Sequence, residues 1–306
     1  MGLQTVKRRD DKISDVHGVS GAVVPRPDIT KIPSTALRQR WKGRLAALAR
    51  VFASEDEKAS YAREMFEAVA PRYDLTNTVI SAGLHRWWKG RAAALAQVLP
   101  GDRAVDICCG TGDLMLLLAR RVGPHGRVVG IDFSEGMLRV ARRKMTAAGL
   151  GSSCRLVVAD AETLALPDER FDAATVGFGI RNTVHPEAVL REILRVLRPG
   201  GRLVVLEFGH PRPQLISRLY DLYSFTVMPW LGRLISRHPD GYLYLPTSIR
   251  SWPDQETFAR LMANAGFAPV DYLNLFAGIA TIHVGIRPLE PSVAVGPNRR
   301  RGAPAS

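Results

Sequence analysis

A chain of 306 residues, 46% of them hydrophobic, is long enough to bury one substantial α/β core; with no 18-residue uncharged apolar run and no apolar amino-terminal segment, it is expected to be cytoplasmic. Its three cysteines, Cys108, Cys109 and Cys154, form no Cys-x-x-Cys pair, which argues against a disulfide framework or a zinc site, so no metal is expected. The net charge of +13 would suggest a nucleic-acid partner, but residues 1–58 and 287–306 carry +5 and +3 of it, and a body left with +5 argues for tail contacts with anionic surfaces and not for a nucleic-acid groove.

Residues 1–33 mix Gly, Pro, Ser, Asp and Lys without periodicity and read as a disordered arm. From Thr35 to Phe52, Leu37, Trp41, Leu45, Leu48 and Phe52 recur every three to four positions among Arg38, Arg40, Lys42, Arg44 and Arg50. That pattern predicts a basic amphipathic helix, completing an extension over residues 1–55. Such a helix can lie on an anionic membrane, placing the protein peripherally at its inner face, or pack its apolar stripe on the body. A helical pattern then runs over 59–99, interrupted at Pro71 and Gly83. Strands are predicted near 103–108, 127–132, 154–159, 172–177 and 202–207, with helices near 112–121, 135–148 and 186–197 between them. Alternation at this spacing means a parallel sheet with right-handed crossovers. The segment 215–237 breaks the pattern with Tyr220, Tyr223, Phe225, Met228, Pro229 and Trp230, composition that suits either core or a cover near 210–250 over a greasy ligand. A helix over 251–267 and an antiparallel pair, 269–276 and 279–287, close the body at residue 287. Residues 288–306 read as a disordered basic tail.

The chemistry is most legible in residues 104–114, AVDICCGTGDL, a strand that carries Asp106 and runs into a turn of Gly110, Thr111 and Gly112 ahead of a helix. Glycines there let the backbone bend and approach a ligand closely. A dinucleotide fingerprint needs a third glycine where Met115 stands, and Asp113 sets a carboxylate where a pyrophosphate would sit. A cofactor with a cationic or zwitterionic end fits better, and S-adenosylmethionine has both. The second strand ends in Asp132, 22 residues after Gly110, placed either to bond ribose hydroxyls or to cap the next helix, a role open also to Ser134. The third ends in Asp160 and Ala161, placed to border an adenine.

Five parallel units, a terminal strand pair, and DICCGTGD, GIDFSEGML and ADAETLALP in order resemble the class I S-adenosylmethionine-dependent methyltransferase fold. That resemblance implies a Rossmann-like α/β domain over 56–287, with a seven-stranded, mostly parallel sheet, an antiparallel last strand and helices on both faces. FEAVAPRYDLTNTVISAGLHRWWK at 66–89, VGFGIRNTVHPEAVLREILRVLRPGGRLVVLEF at 176–208 and LYDLYSFTVMPWLG at 219–232 resemble the ubiquinone/menaquinone biosynthesis C-methyltransferase family. Gly177 stands where that family has Ser or Ala, Trp252 replaces its usual Phe, and the first 55 residues have no counterpart.

The resemblance implies methylation of a prenylated quinol, demethylmenaquinol to menaquinol, with a benzoquinol of ubiquinone biosynthesis as the alternative and a homodimer left open. It also implies cofactor contacts at Asp106, Gly110, Thr111, Gly112, Asp132, Asp160, Ala161 and Gly177, and places Arg181 and Asn182 of FGIRN toward the ring. Arg181 stays protonated, so its expected role is to stabilise a ring phenolate and orient a relay water, while Asn182 fixes the ring oxygen. Tyr73 and His283 are further relay candidates, against a core role for His283. Asp74 and Asn77 either close over the cofactor or cap a helix, and His85, Trp87 and Trp88 read as anchors.

Overall fold

In a computed structural model, residues 4–5, 54–227 and 241–289 are described. The expected amphipathic helix, residues 228–237 of the 215–237 segment and the basic tail from residue 290 lie outside them.

The sheet strands are β1 (Gln4–Thr5), β2 (Arg103–Ile107), β3 (Arg127–Asp132), β4 (Cys154–Val158), β5 (Phe171–Gly177), β6 (Leu197–Phe208), β7 (Val270–Leu275) and β8 (Ala280–Ile286). They lie in the order β1-β7-β8-β6-β5-β2-β3-β4. From β4 to β6 every pairing is parallel. β8, the last strand, runs antiparallel between β6 and β7, as expected. The two residues of β1 add an eighth strand antiparallel to β7, from the segment read in the sequence as an arm. β6 begins at Leu197, earlier than the predicted residue 202, because Leu197 pairs with Phe171 beyond a register shift.

Helices α1 (Glu55–Val69), α2 (Tyr73–Ile80) and α3 (Leu84–Leu95) precede β2. Pro71, in a 3-10 turn, separates the first two, and Gly83, at φ 79°, supplies the left-handed residue that opens the third. α4 (Asp113–Val122), α5 (Glu135–Ala147) and α6 (Pro186–Val196) make the crossovers. α7 (Gln214–Leu222), α8 (Gly241–Ser251) and α9 (Gln255–Asn264) follow β6.

Both faces of the sheet are covered, which is why β2 and β5 are nearly continuous apolar runs. One face packs Val105, Ile107 and Val176 against Leu190 and Ile193 of α6 and Phe258 and Met262 of α9. The other packs Ala104, Val128 and Val204 against Ala92 and Ala93 of α3 and Leu114 and Leu118 of α4.

Candidate active site

β3 and β4 continue to one side of β2 while β5 and β6 return on the other, so a crevice opens at the carboxyl ends of β2 and β5. The turn leaving β2 holds Cys108, Gly110 and Gly112 at φ 53°, 53° and 81°. Its two glycines serve different ends. A Cβ on Gly110 would meet nothing within 4 Å, so its backbone borders open space, whereas one on Gly112 would lie 3.0 Å from both Ala141 Cβ and Met145 Cε. Gly112 therefore lets α4 pack on α5.

Two buried carboxylates hold this turn. Asp106 accepts the Met115 N–H at 3.0 Å and the Thr175 hydroxyl at 2.6 Å, and burial pushes its carboxyl up to about 7. Asp132 accepts the N–H groups of Gly110 at 2.8 Å and Ser134 at 2.9 Å, and burial raises its pKa as well. Ser134 itself caps α5 through the Met137 N–H, so the capping role open to Asp132 is filled by its neighbour.

Asp113 is not a free anion. Burial opposes its ionisation, yet Lys89 at 2.7 Å and Lys144 at 2.6 Å hold it well below the usual carboxylate range. Lys144 also reaches Asp74 at 2.5 Å, and Asp74 accepts the Thr111 hydroxyl at 2.6 Å. Asp74 thus clasps α2 onto the glycine turn. Glu67 clasps α1 onto the start of α5, accepting the Ser134 hydroxyl at 2.7 Å, the Gly136 N–H at 2.8 Å and Arg139 at 2.5 Å.

Under these clasps lie two clefts of about 40 and 50 Å³ that share Cys108, Asp132, Phe133 and Asn182. The first includes Asp106, Gly110, Thr111 and Gly177; the second includes Asp160 and Ala161, with Ala59, Ala62 and Arg63 of α1 bordering it. Of the cofactor residues read from the sequence, only Gly112 lines neither, in keeping with its packing role. Bare backbone at Gly110, carboxylates at Asp132 and Asp160 and the Phe133 ring suit a nucleoside with a zwitterionic tail.

A cavity of about 460 Å³ adjoins the first cleft, and Phe66, Tyr73, Lys89 and Phe178 line both spaces. Trp88, Phe178, Phe208 and Phe276 interlock along its wall, with Phe178 and Phe208 centroids 4.7 Å apart. Phe178 sits at φ 58°, a strained conformation for a bulky residue. Its carbonyl accepts both Arg181 Nη1 at 2.7 Å and Asn182 Nδ2 at 3.3 Å, which hold it there.

Arg181 lines the cavity, 9% exposed, and its pairing is a buried one: Nη1 donates to Glu207 Oε1 at 2.7 Å, and the guanidinium lies 5.3 Å from the Phe208 centroid. Burial raises the Glu207 pKa, and Oε2 of Glu207 has no partner among the described residues. Asn182 lines both clefts and is not among the residues lining the cavity, so it faces the clefts, apart from Arg181 in the cavity wall. Tyr73 stands where cleft and cavity meet. His283 is a core residue: Nε2 pairs with Gln255 O at 2.9 Å, Phe258 and Tyr272 pack on its ring, and burial lowers its pKa to about 4. His85 and Trp88 line the cavity, while Trp87 is exposed beside Phe276. Sequence reasoning missed Glu207, Lys89, Lys144 and Glu67. Of these only Glu207, a lone carboxylate closing the apolar strand LVVLEF, carried a local signal.

Residues 53–287 match the model of the ubiE/COQ5 methyltransferase family. Over 234 residues the chain is 48% identical to the "Ubiquinone/menaquinone biosynthesis C-methyltransferase UbiE" of Ectopseudomonas mendocina and 47% identical to the same-named protein of Pseudomonas putida, covering 76% of this chain and 91% of each relative. A solved S-adenosylmethionine-dependent methyltransferase from Thermotoga maritima, described as a possible histamine N-methyltransferase, superposes with a TM-score of 0.52 at 20% identity, over 74% of this chain and 99% of that one, and so speaks to fold alone. Since the family match spans glycine turn, cleft and cavity together, the chain belongs to the ubiE/COQ5 methyltransferase family and takes S-adenosylmethionine as its cofactor.

Proposed function

We propose that this chain methylates a ring carbon of a prenylated quinol, converting demethylmenaquinol to menaquinol. The observation that carries this reading is the 460 Å³ apolar cavity that shares Tyr73 and Phe178 with the cofactor cleft and has Arg181 in its wall. The interlocked rings of Trp88, Phe178 and Phe208 suit a flat, fused ring. A benzoquinol is the second reading, because the relatives' names carry both quinones.

Gly110, Thr111, Asp132, Asp160, Ala161 and Gly177 would hold the cofactor, which when bound supplies an electrophilic methyl group on a sulfonium. Much of what remains is alignment of donor and acceptor carbons. The ring carbon becomes nucleophilic as its neighbouring hydroxyl gives up a proton; an unperturbed phenol does so near pH 10, by analogy with Tyr. Arg181, protonated and shielded from water, favours the resulting phenolate, and Tyr73 at the junction can share the leaving proton. Once the ring carbon has taken the methyl group, loss of its own proton restores aromaticity, and the cofactor would leave as a neutral thioether.

A prenyl tail requires contact with a bilayer, and the mouth of the cavity suits one. Leu84, Leu219 and Phe276 of its lining are 38%, 58% and 47% exposed.

The test is purified protein with labelled S-adenosylmethionine and, separately, reduced demethylmenaquinone and a reduced demethylated benzoquinone, with lipid products resolved by mass spectrometry. Label on the naphthoquinol carbon alone is the expected result. Label on the benzoquinol alone would shift the assignment to the second reading, and label on neither would overturn both.

A further inference from the structure

One imidazole in the cavity wall has its tautomer fixed by the protein. Ser81 Oγ lies 2.6 Å from the carbonyl oxygen of Asn77, which can only accept, so the single hydroxyl proton points there. His85 Nδ1 lies 2.8 Å from the same Oγ. With the hydroxyl proton committed, that contact is attractive only if Nδ1 carries a proton and donates it. A neutral imidazole has one N–H, so Nε2 is left as a bare acceptor, and among the described residues nothing donates to it. Burial and the neighbouring Lys89 ammonium, with Arg86 adding to them, lower the His85 pKa to about 4 against the opposing charges of Asp113 and Asp74. The ring is therefore neutral at physiological pH.

We propose that His85 reads the oxidation state of the substrate ring, its Nε2 accepting a hydroxyl proton from the quinol and offering nothing to the carbonyl of the quinone. This rests on the quinol reading above. Quinol and quinone share carbon skeleton, planarity and prenyl tail, so the apolar walls of Trp88, Phe178 and Phe208 separate them poorly. A carbonyl oxygen against Nε2 sets lone pair against lone pair and leaves both groups unsatisfied. A site built to hydrogen-bond a hydroxyl rejects a ligand that lacks it far more strongly than an apolar pocket rejects a change of size. The chemistry calls for this discrimination, because only the electron-rich reduced ring is a carbon nucleophile, and an oxidised ring in the cavity would block it.

The test uses the full chain saturated with S-adenosylhomocysteine, under argon, and a demethylated naphthoquinone with a short prenyl chain, presented as the quinone or as its dithionite-reduced quinol. Wild type is expected to bind the quinol at least about tenfold more tightly. In His85→Gln the amide can turn its N–H toward a carbonyl, and in Ser81→Ala the imidazole is free to take the other tautomer. Both variants are expected to bring the ratio of affinities to within about threefold of one, while S-adenosylhomocysteine binds as in wild type, which a loss of fold would not allow. A ratio unchanged in both variants, or a wild-type ratio near one, overturns the assignment of His85 and leaves the quinol reading standing. Failure of both forms to bind, with S-adenosylhomocysteine bound normally, overturns the quinol reading and this inference with it.

Discussion

Arg181 does two jobs that ordinary mutagenesis would confound. It faces the cavity, and it neutralises Glu207, whose side chain is 1% exposed. Removing one member of a buried ion pair costs about 3–5 kcal/mol, because the other is left charged and dry, whereas replacing both by uncharged groups of similar shape is often neutral. Arg181→Ala is accordingly expected to lower stability by about that amount and turnover with it. The double variant Arg181→Met, Glu207→Gln is expected to recover most of the stability in urea unfolding while turnover at saturating cofactor and quinol stays low. If turnover returned together with stability, Arg181 would only brace the FGIRN turn and would not act on the ring. Phe178 belongs to the same argument, since its strained backbone is held by the two side chains, Arg181 and Asn182, that the sequence singled out for chemistry.

At the scale of elements, α1 and α2 form a cover tied to the body by polar contacts, among them Lys58 Nζ donating to the Thr183 carbonyl at 2.6 Å. Asp74 holds Thr111 and Lys144, and Glu67 holds Ser134, Gly136 and Arg139. The clefts of about 40 and 50 Å³ lie beneath this cover, so loosening it is expected to weaken cofactor binding. Asp74→Ala is expected to weaken S-adenosylhomocysteine binding roughly tenfold, equivalent to about 1.4 kcal/mol, and to speed amide exchange across residues 55–80. Calorimetry and hydrogen exchange check the two halves; weakened binding without faster exchange would mean that Asp74 serves the ligand and not the cover. The strands and crossover helices were legible because each buries a face or stripe whose period stands in the sequence, as in β2 and α4. These fastenings were not. Glu67 lies 67 residues from Ser134 and Asp74 lies 70 from Lys144, and no local pattern marks a polar contact that exists only once the sheet has brought its ends together. The same holds for His85, which reads as a helix-start anchor until the cavity shows what its ring faces. His283 shows the converse: a histidine in an apolar strand is the kind that a core absorbs.

For the whole molecule, the prenylated quinol proposed above raises the question of how the domain reaches a lipid tail. Among the described residues, no helix is long and apolar enough to cross a membrane. The two helices at the cavity mouth instead carry apolar stripes outward: Leu75 and Val79 on α2 are 57% and 38% exposed, and Leu215, Leu219 and Leu222 on α7 are 70%, 58% and 52% exposed. Trp87 and Phe276, 50% and 47% exposed, are in contact with each other, and Phe276 also lines the cavity. Over residues 71–95 and 209–227 the exposed charged side chains are all arginines, namely Arg72, Arg86, Arg91, Arg212 and Arg218, while Asp74 and Asp221 are engaged with Lys144 and Arg250. Exposed apolar side chains on segments whose exposed charges are arginines are a composition that partitions into an anionic bilayer surface, each basic group adding about 1 kcal/mol near it. The full chain is therefore expected to sediment with vesicles containing phosphatidylglycerol, less with phosphatidylcholine alone, and less again as salt rises. Leu215 and Leu222 are not among the residues lining the cavity, so Leu215→Gln with Leu222→Gln is expected to weaken vesicle binding severalfold, since each loses on the order of 1 kcal/mol of burial, while methylation of a short-chain quinol in detergent continues. Deleting residues 1–53 in parallel separates the rim from the basic extension. Binding lost only on deletion would assign the membrane to the segment Thr35–Phe52, and binding lost only in the double variant would assign it to the rim, where the proposed prenyl tail would enter.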